Sequence, residues 1–303
     1  MVSIQMRLLE IFLLLTRLFS DRSSKLDVAK ERADVEEMTR MFKPLGKFTH
    51  EAVAVNGLKA EWIVPPEARP ERVMLFLHGG SFNAGSIASH RTLAGNVALA
   101  CQARVLLLDY RLAPEHPFPA AIEDAIAAYE WLLAQGIPAR QVIAAGDSAG
   151  GNLGLELLLH LRDHKRPLPS AAVCLSPSPD LTFSSPSWTT NLKKDLMLDI
   201  RKERKSLEIY LKSVDPRDPR VSPSYANLEG LPPLLLQVGS YELLRSDVEQ
   251  FAEKARAAGV EVTLEVWPGM QHEWHFAADF LPEGRQAVAR IGAFVEAIYA
   301  RVD

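Results

Sequence analysis

Apolar and polar positions along the chain follow two alternating patterns. Val73-Met74-Leu75-Phe76-Leu77 is an unbroken apolar run, as is Val142-Ile143-Ala144-Ala145. Runs this short and this apolar predict strands buried on both faces. Arg104–Leu108, Ala171–Leu175, Leu234–Val238 and Val262–Trp267 predict further strands. Between and after them the period lengthens to that of a helix. Ala120–Ala134 puts Ile122, Ala125, Ile126, Tyr129 and Leu132 on one face, and Arg285–Ala300 does the same with Val288, Ile291, Phe294, Val295 and Ile298. His90–Cys101 and Asn152–Leu159 also read as helices. Upstream, Glu51–Val55 and Lys59–Val64 are extended segments joined by Asn56-Gly57, which predicts an antiparallel hairpin. Repeated strand–helix alternation predicts an α/β protein whose sheet is mostly parallel, with helices on both faces.

Two regions depart from that rhythm. Near the N-terminus, Leu8, Ile11, Phe12, Leu15, Leu18 and Phe19 keep helical spacing. The run is shorter than the roughly 20 apolar residues of a spanning helix. Arg7, Glu10 and Arg17 interrupt it, and no Ala-x-Ala cleavage pattern follows. It is read as an amphipathic helix packed on its own protein, without stable membrane insertion, since a strongly basic polar face is missing. A charged helical stretch, Lys25–Phe42, comes next. Between Asp180 and Pro223 no buried strand is found; a charged amphipathic helix, Leu198–Val214, lies there instead. An insertion this late in the sheet falls over the strand ends and reads as part of a lid.

Composition narrows the picture little. With 48% hydrophobic and 24% charged residues, the chain reads as ordinary globular protein, long enough for one large core. The formal net charge is −4 and no basic stripe is present, so a nucleic-acid partner is not expected. The two cysteines, Cys101 and Cys174, sit in apolar text. They read as buried free thiols, which fits a reducing compartment, the cytoplasm.

The candidate chemistry starts at Gly146-Asp147-Ser148-Ala149-Gly150, between a strand and a helix. A Gly-x-Ser-x-Gly elbow pushes the serine hydroxyl out of the sheet, and the glycines permit the close strand–helix approach. By itself the motif is common. A serine also needs a base within hydrogen-bond reach, and the base needs an orienting acid. Among the histidines downstream near strand ends or loops, His272 in Pro268-Gly269-Met270-Gln271-His272 follows the last strand and is favoured. His275 is its rival, and His164 lies among charges at a helix end. The acid should follow Leu234–Val238; Glu242 is favoured there over Asp247. His78-Gly79-Gly80-Ser81 after an early strand supplies candidate oxyanion donors, Gly79 and Gly80, with Ala149 as the third. His78 reads as structural, as do Asp109, Arg111, Glu115 and Asp147. Phe82, Phe183, Trp188, Leu192 and Trp274 are candidates for an apolar acyl pocket.

Together these residues resemble the hormone-sensitive-lipase-like esterases, the bacterial family IV esterases of the α/β-hydrolase fold. The resemblance rests on His78-Gly79-Gly80, Asp109-Tyr110-Arg111-Leu112-Ala113-Pro114-Glu115, Gly146–Gly151, Gly239-x-x-Glu242 and Pro268-Gly269-Met270-x-His272. It implies a mostly parallel eight-stranded sheet with helices on both faces and a helical cap, built from residues 1–45 and an insertion at about 182–222 on a catalytic domain of residues 46–303. It implies a Ser148–His272–Glu242 triad, with Glu242 where Asp is usual, and hydrolysis of short- to medium-chain acyl esters without metal or cofactor. The family's third loop glycine is Ser81 here, which weighs against tertiary-alcohol esters. A homodimer is the assembly it implies. A lactone hydrolase or amidase is the alternative, since lactones and amides meet the same site. A non-catalytic receptor on this scaffold would lack the histidine that His272 supplies.

Overall fold

The computed structural model describes residues 2–19 and 26–301, with the side chains of 17–19 excepted. The Arg17, Leu18 and Phe19 side chains and Lys25, each assigned to a helical stretch from its spacing, lie outside the described residues.

Strands β1 (Thr49–Val55), β2 (Leu58–Val64), β3 (Val73–Leu77), β4 (Arg104–Asp109), β5 (Val142–Asp147), β6 (Ala171–Leu175), β7 (Leu234–Gly239) and β8 (Val262–Trp267) form one 8-stranded sheet in the order β1-β2-β4-β3-β5-β6-β7-β8. The Asn56-Gly57 hairpin pairs Thr49 with Val64 through Val55 with Leu58, antiparallel. β2 is also antiparallel to β4, and the remaining pairs are parallel. Helices α1 (Ile4–Phe19) and α2 (Val28–Thr39) precede the sheet. α3 (Ile87–Cys101), α4 (Ala120–Ala134) and α5 (Ser148–Asp163) join its first parallel strands. α6 (Ser187–Thr190) and α7 (Ile200–Leu211) lie between β6 and β7, followed by α8 (Arg245–Ala257) and α9 (Pro282–Tyr299).

The period of two along each strand sorts side chains into two layers. In β3, Met74 and Phe76 pack with Leu93 and Val97 of α3 and Ile291 and Val295 of α9. Val73, Leu75 and Leu77 face the other way, toward Tyr129 of α4, Leu157 of α5 and Phe251 of α8. The central strands β3 to β7 are therefore buried on both faces, which is why they read as continuous apolar text, whereas the edge strands β1 and β8 are not fully covered. Leu207 and Tyr210 of α7 join the second layer, and Tyr210 stacks on Phe82, ring centroids 3.9 Å apart. The segment between β6 and β7 is thereby held over the loop that follows β3. Cys101 and Cys174 are buried free thiols, each pushed up to about 12 by burial.

The face that α1 buries differs from the expectation. Leu8, Ile11, Phe12 and Leu15 are each about half exposed, while Met6 is fully buried. Met6 and Leu9 pack against Met270, Trp274 and Leu281. The helix is apolar nearly all round, so spacing alone left two stripes to choose from. Ser3 makes the choice: its backbone N–H and hydroxyl donate to Glu283 of α9, at 2.6 and 2.8 Å. No helix among the described residues is long and apolar enough to cross a membrane.

Candidate active site

The sharp turn from β5 into α5 forces Ser148 to φ +48°, a left-handed conformation that L-residues adopt at a cost. The turn brings the first residues of α5 against the end of β3. A Cβ on Gly150 would run into the Leu77 carbonyl, so glycine is required there. Ser148 is only 7% exposed, because the segment around α6 and α7 covers it; a substrate must reach it through a cavity rather than from open solvent.

His272 follows β8 and reaches back across the sheet. Its Nε2 lies 3.1 Å from Ser148 Oγ, and its Nδ1 lies 2.8 Å from Glu242 Oε2. Ser148, His272 and Glu242 thus form one continuous hydrogen-bonded chain, although 124 residues separate the serine from the histidine. The second Glu242 oxygen accepts from Ser176 Oγ, at 2.7 Å, and from the Gly239 N–H. Burial raises the Glu242 pKa; His272 and these donors hold it down. For His272, burial opposes charging the ring, but Glu273, Glu242 and Asp195 outweigh it and raise the pKa to about 10. A hydrogen bond from Nδ1–H to Glu242 leaves Nε2 free to accept the serine proton.

The rivals go elsewhere. His275 is fully buried, its Nε2 lies 2.9 Å from Gln237 Oε1, and burial pushes its pKa down to about 3. His164 is exposed on the far end of α5. Asp247 accepts a 2.7 Å hydrogen bond from Trp188 Nε1 instead of reaching His272.

The loop after β3 requires one correction. The Gly79 N–H donates to Asp147 Oδ2, at 3.1 Å, and so is taken up by that carboxylate rather than offered to a substrate. Gly80 remains, at φ +113°, where a Cβ would meet the Ala84 carbonyl. Ala149 lies in the first turn of α5, whose N–H groups have no intrahelical acceptor. Beneath the loop, His78 stacks on Tyr110 with ring centroids 4.2 Å apart, and its Nδ1 lies 2.8 Å from the Gly79 carbonyl oxygen. His90 Nε2 lies 3.1 Å from Asp147. These groups brace the turn, as expected for His78 and Asp147. Arg111 pairs with Asp124, at 2.7 Å, and Glu115 with Arg32 of α2, at 2.7 Å, which makes both structural.

Two cavities meet this hydrogen-bonded chain. One is lined by Ser148, Ala149, Phe82, Phe183 and Trp188, with Glu203 of α7 on its wall. The other is lined by His272, Glu273 and Trp274 together with Leu13 of α1 and Met38 of α2. Phe82, Phe183 and Trp188 therefore stand beside the serine as expected. Trp274 belongs to the second cavity and not to the first, because the loop carrying His272 turns it toward Met6. Leu192 lines neither and is 39% exposed.

Sequence reading passed over four residues that shape the site. Ser176 holds Glu242. Glu273 brings a carboxylate 3.6 Å from His272 Nε2, and burial raises its own pKa to about 8. Gln271 ties the loop carrying His272 to the segment before α7: its side chain accepts from Leu196 N at 2.7 Å and donates to the Lys194 carbonyl at 2.9 Å. Glu203 accepts a 2.8 Å hydrogen bond from Ser81. The first three sit within or beside recognisable motifs. Glu203 carries no signal, being one of two acids in a charged helix, Ile200–Leu211.

Residues 74–276 match the family model described as the alpha/beta hydrolase fold. An acetyl-hydrolase of Streptomyces hygroscopicus is 46% identical over 269 residues, which is 89% of this chain and 90% of that one. An esterase of Acinetobacter venetianus is 37% identical over 278 residues, 91% of each. Among solved structures, an esterase from the bacterial hormone-sensitive lipase family superposes with a TM-score of 0.91 at 43% identity, covering 97% of both chains. An esterase/lipase from an uncultured bacterium gives 0.93 at 40% identity, covering 98% and 99%. The chain belongs to the α/β-hydrolase family, in its bacterial hormone-sensitive-lipase-like branch.

Proposed function

We propose that the chain hydrolyses carboxylic esters through Ser148, His272 and Glu242. The observation that carries this is the unbroken path from Ser148 Oγ through both ring nitrogens of His272 to Glu242, at 3.1 and 2.8 Å. Ser148 Oγ attacks the ester carbonyl carbon while its proton passes to His272 Nε2. Glu242 fixes the tautomer and stabilises the imidazolium. The tetrahedral oxyanion is held by the N–H groups of Gly80 and Ala149. Collapse breaks the bond to the alkoxy oxygen, which takes the proton from His272 and leaves as the alcohol. Water then attacks the acyl-enzyme by the same route and releases the acid.

Residues 1–45 and about 182–222 serve as the cap over this site. Support comes from the covering of Ser148 and from the Ser81–Glu203 and Gln271–Leu196 hydrogen bonds between body and insertion. A reducing compartment, the cytoplasm, suits the two buried free thiols.

Ser148→Ala should lower p-nitrophenyl acetate turnover by at least about 10⁴-fold. Glu242→Ala should cost roughly 10²–10⁴-fold, and Asp247→Ala less than about tenfold. Retention of more than a few per cent of turnover by the serine variant would refute the assignment, and a reversed ranking of the two acids would move the orienting role to Asp247.

A further inference from the structure

The two cavities at the site differ greatly in size and in the groups they touch. The cavity beside Ser148 and Ala149 leaves about 20 Å³ of room for water-sized atoms. That is little more than the space one water molecule needs. Phe82, packed face to face on Tyr210, and Trp188, tied by its indole N–H to Asp247, wall it in. Among the described residues, the cavity beside His272 leaves about 420 Å³. It is walled by Leu13, Met38, Met41, Phe42 and Trp274, and is apolar over most of its lining.

Which part of an ester each cavity receives is decided by the chemistry of Ser148 and His272, so the division of the substrate between them rests on the ester-hydrolase reading. His272 gives its proton to the departing oxygen, so the leaving alcohol must lie on the His272 side of the carbonyl carbon. The acyl carbon is bonded to Ser148, and its oxygen points to Gly80 and Ala149. The acyl substituent is then left with the space between Ser148, Phe82 and Trp188. The small cavity takes the acyl group and the large one takes the alcohol.

We propose that the preferred substrates are esters of a very short acid, acetate above all, with a large, neutral, apolar primary or aromatic alcohol. This asymmetry is narrower than an expectation of short- to medium-chain acyl groups, and it puts selectivity on the leaving group. Asp34 and Glu37 stand at the wall of the large cavity with Glu273. The Asp34 and Glu37 carboxylates oppose an anionic alcohol, and the apolar remainder of the lining costs a cation its hydration, which leaves a neutral alcohol as the class. Apolar burial drives the preference, because each methylene of the alcohol removed from water stabilises the bound ester. An alcohol lengthened from methyl to octyl gains in kcat/KM until the cavity is full, whereas an acyl chain lengthened beyond acetyl must push aside Phe82 or Trp188.

Two substrate series on the full-length protein test this. In the alcohol series, methyl, butyl and octyl acetates, whose leaving groups are equally basic, should rise in kcat/KM by at least tenfold from the first to the last. In the acyl series, butyl acetate, butanoate and octanoate should fall by at least tenfold. A flat or falling alcohol series, or an acyl series that peaks at octanoate, overturns the proposal. Met38→Trp fills the large cavity and should reduce the ratio of octyl acetate to methyl acetate hydrolysis by at least fivefold. Leu13→Trp does so from the opposite wall should the first variant fold poorly. Ratios unchanged in a folded variant also overturn the proposal. Failure of the underlying reading is distinct: it shows as full p-nitrophenyl acetate turnover in Ser148→Ala, whatever the two series give.

Discussion

His272 can accept a proton only when its ring is neutral. Burial works against charge on that ring, but the acids around it prevail and lift its pKa to about 10, above the ordinary 6.5. Glu273 is held up to about 8 by its own burial, so it is neutral in acid and adds its pull as it ionises. The acid limb of the kcat/KM profile for a neutral ester should therefore lie above 6.5, with activity rising toward alkaline pH. Glu273→Gln removes a charge 3.6 Å from Nε2. The ring then loses its proton more readily, and the limb should move to lower pH. A limb that stays in place or moves upward in the variant would show that Glu273 does not tune the base. Asp147 also belongs to this balance, since it lies in the same buried cluster and burial raises its pKa to about 6.

At the scale of elements, the strand-to-helix turn at Ser148 depends on a missing side chain. Gly150→Ala would drive a methyl group into the Leu77 carbonyl and separate α5 from β3. The expected loss is about 1–3 kcal/mol of stability, read by denaturant unfolding, together with reduced kcat as Ser148 is re-aimed. An unchanged midpoint and turnover would show that the approach is not constrained. α1 supplies a second case. Met6→Ala removes its fully buried anchor. Amide exchange in α1 should accelerate while β3 and β5 stay protected; uniform protection would mean that Leu9 and the Ser3–Glu283 hydrogen bonds suffice. The same elements show what was legible in sequence. All eight strands were readable to within two residues: the central ones because strands covered on both sides write themselves as apolar runs, and the exposed β1 because Asn56-Gly57 marks its hairpin with β2. The places of Ser148, Glu242 and His272 at strand ends were readable for the same reason, since each follows one of these strands. The inward face of α1 was not, since Leu8 and Leu9 are equally apolar and Glu283, which chooses between them, is 280 residues distant from Ser3. The engagement of Gly79 by Asp147 was hidden for a similar reason: it is a contact across 68 residues that no local pattern encodes. α8 was passed over: its text from Arg245 to Ala257 is mostly polar, and its buried stripe of Val248, Phe251, Ala252 and Ala255 is half alanine.

Over the whole molecule, Gln271 joins the covering segment to the loop that carries His272. Gln271 satisfies both Leu196 N and the Lys194 carbonyl, immediately before His272. Gln271→Ala leaves those backbone groups without their partner, a cost of about 1–3 kcal/mol. It should also lower kcat by roughly tenfold or more, since small misplacements of a reacting group carry penalties of that order. Thermal unfolding and single-turnover kinetics would separate the two effects; loss of stability at full kcat would mean that the insertion does not position the base. Ser148, Glu242 and His272, the residues proposed to react, follow β5, β7 and β8, and their geometry exists only once β5 to β8 have assembled side by side. During refolding from denaturant, helix content should therefore recover ahead of ester turnover. The appearance of activity then serves as a clock for the last docking event, read without any label attached to the protein.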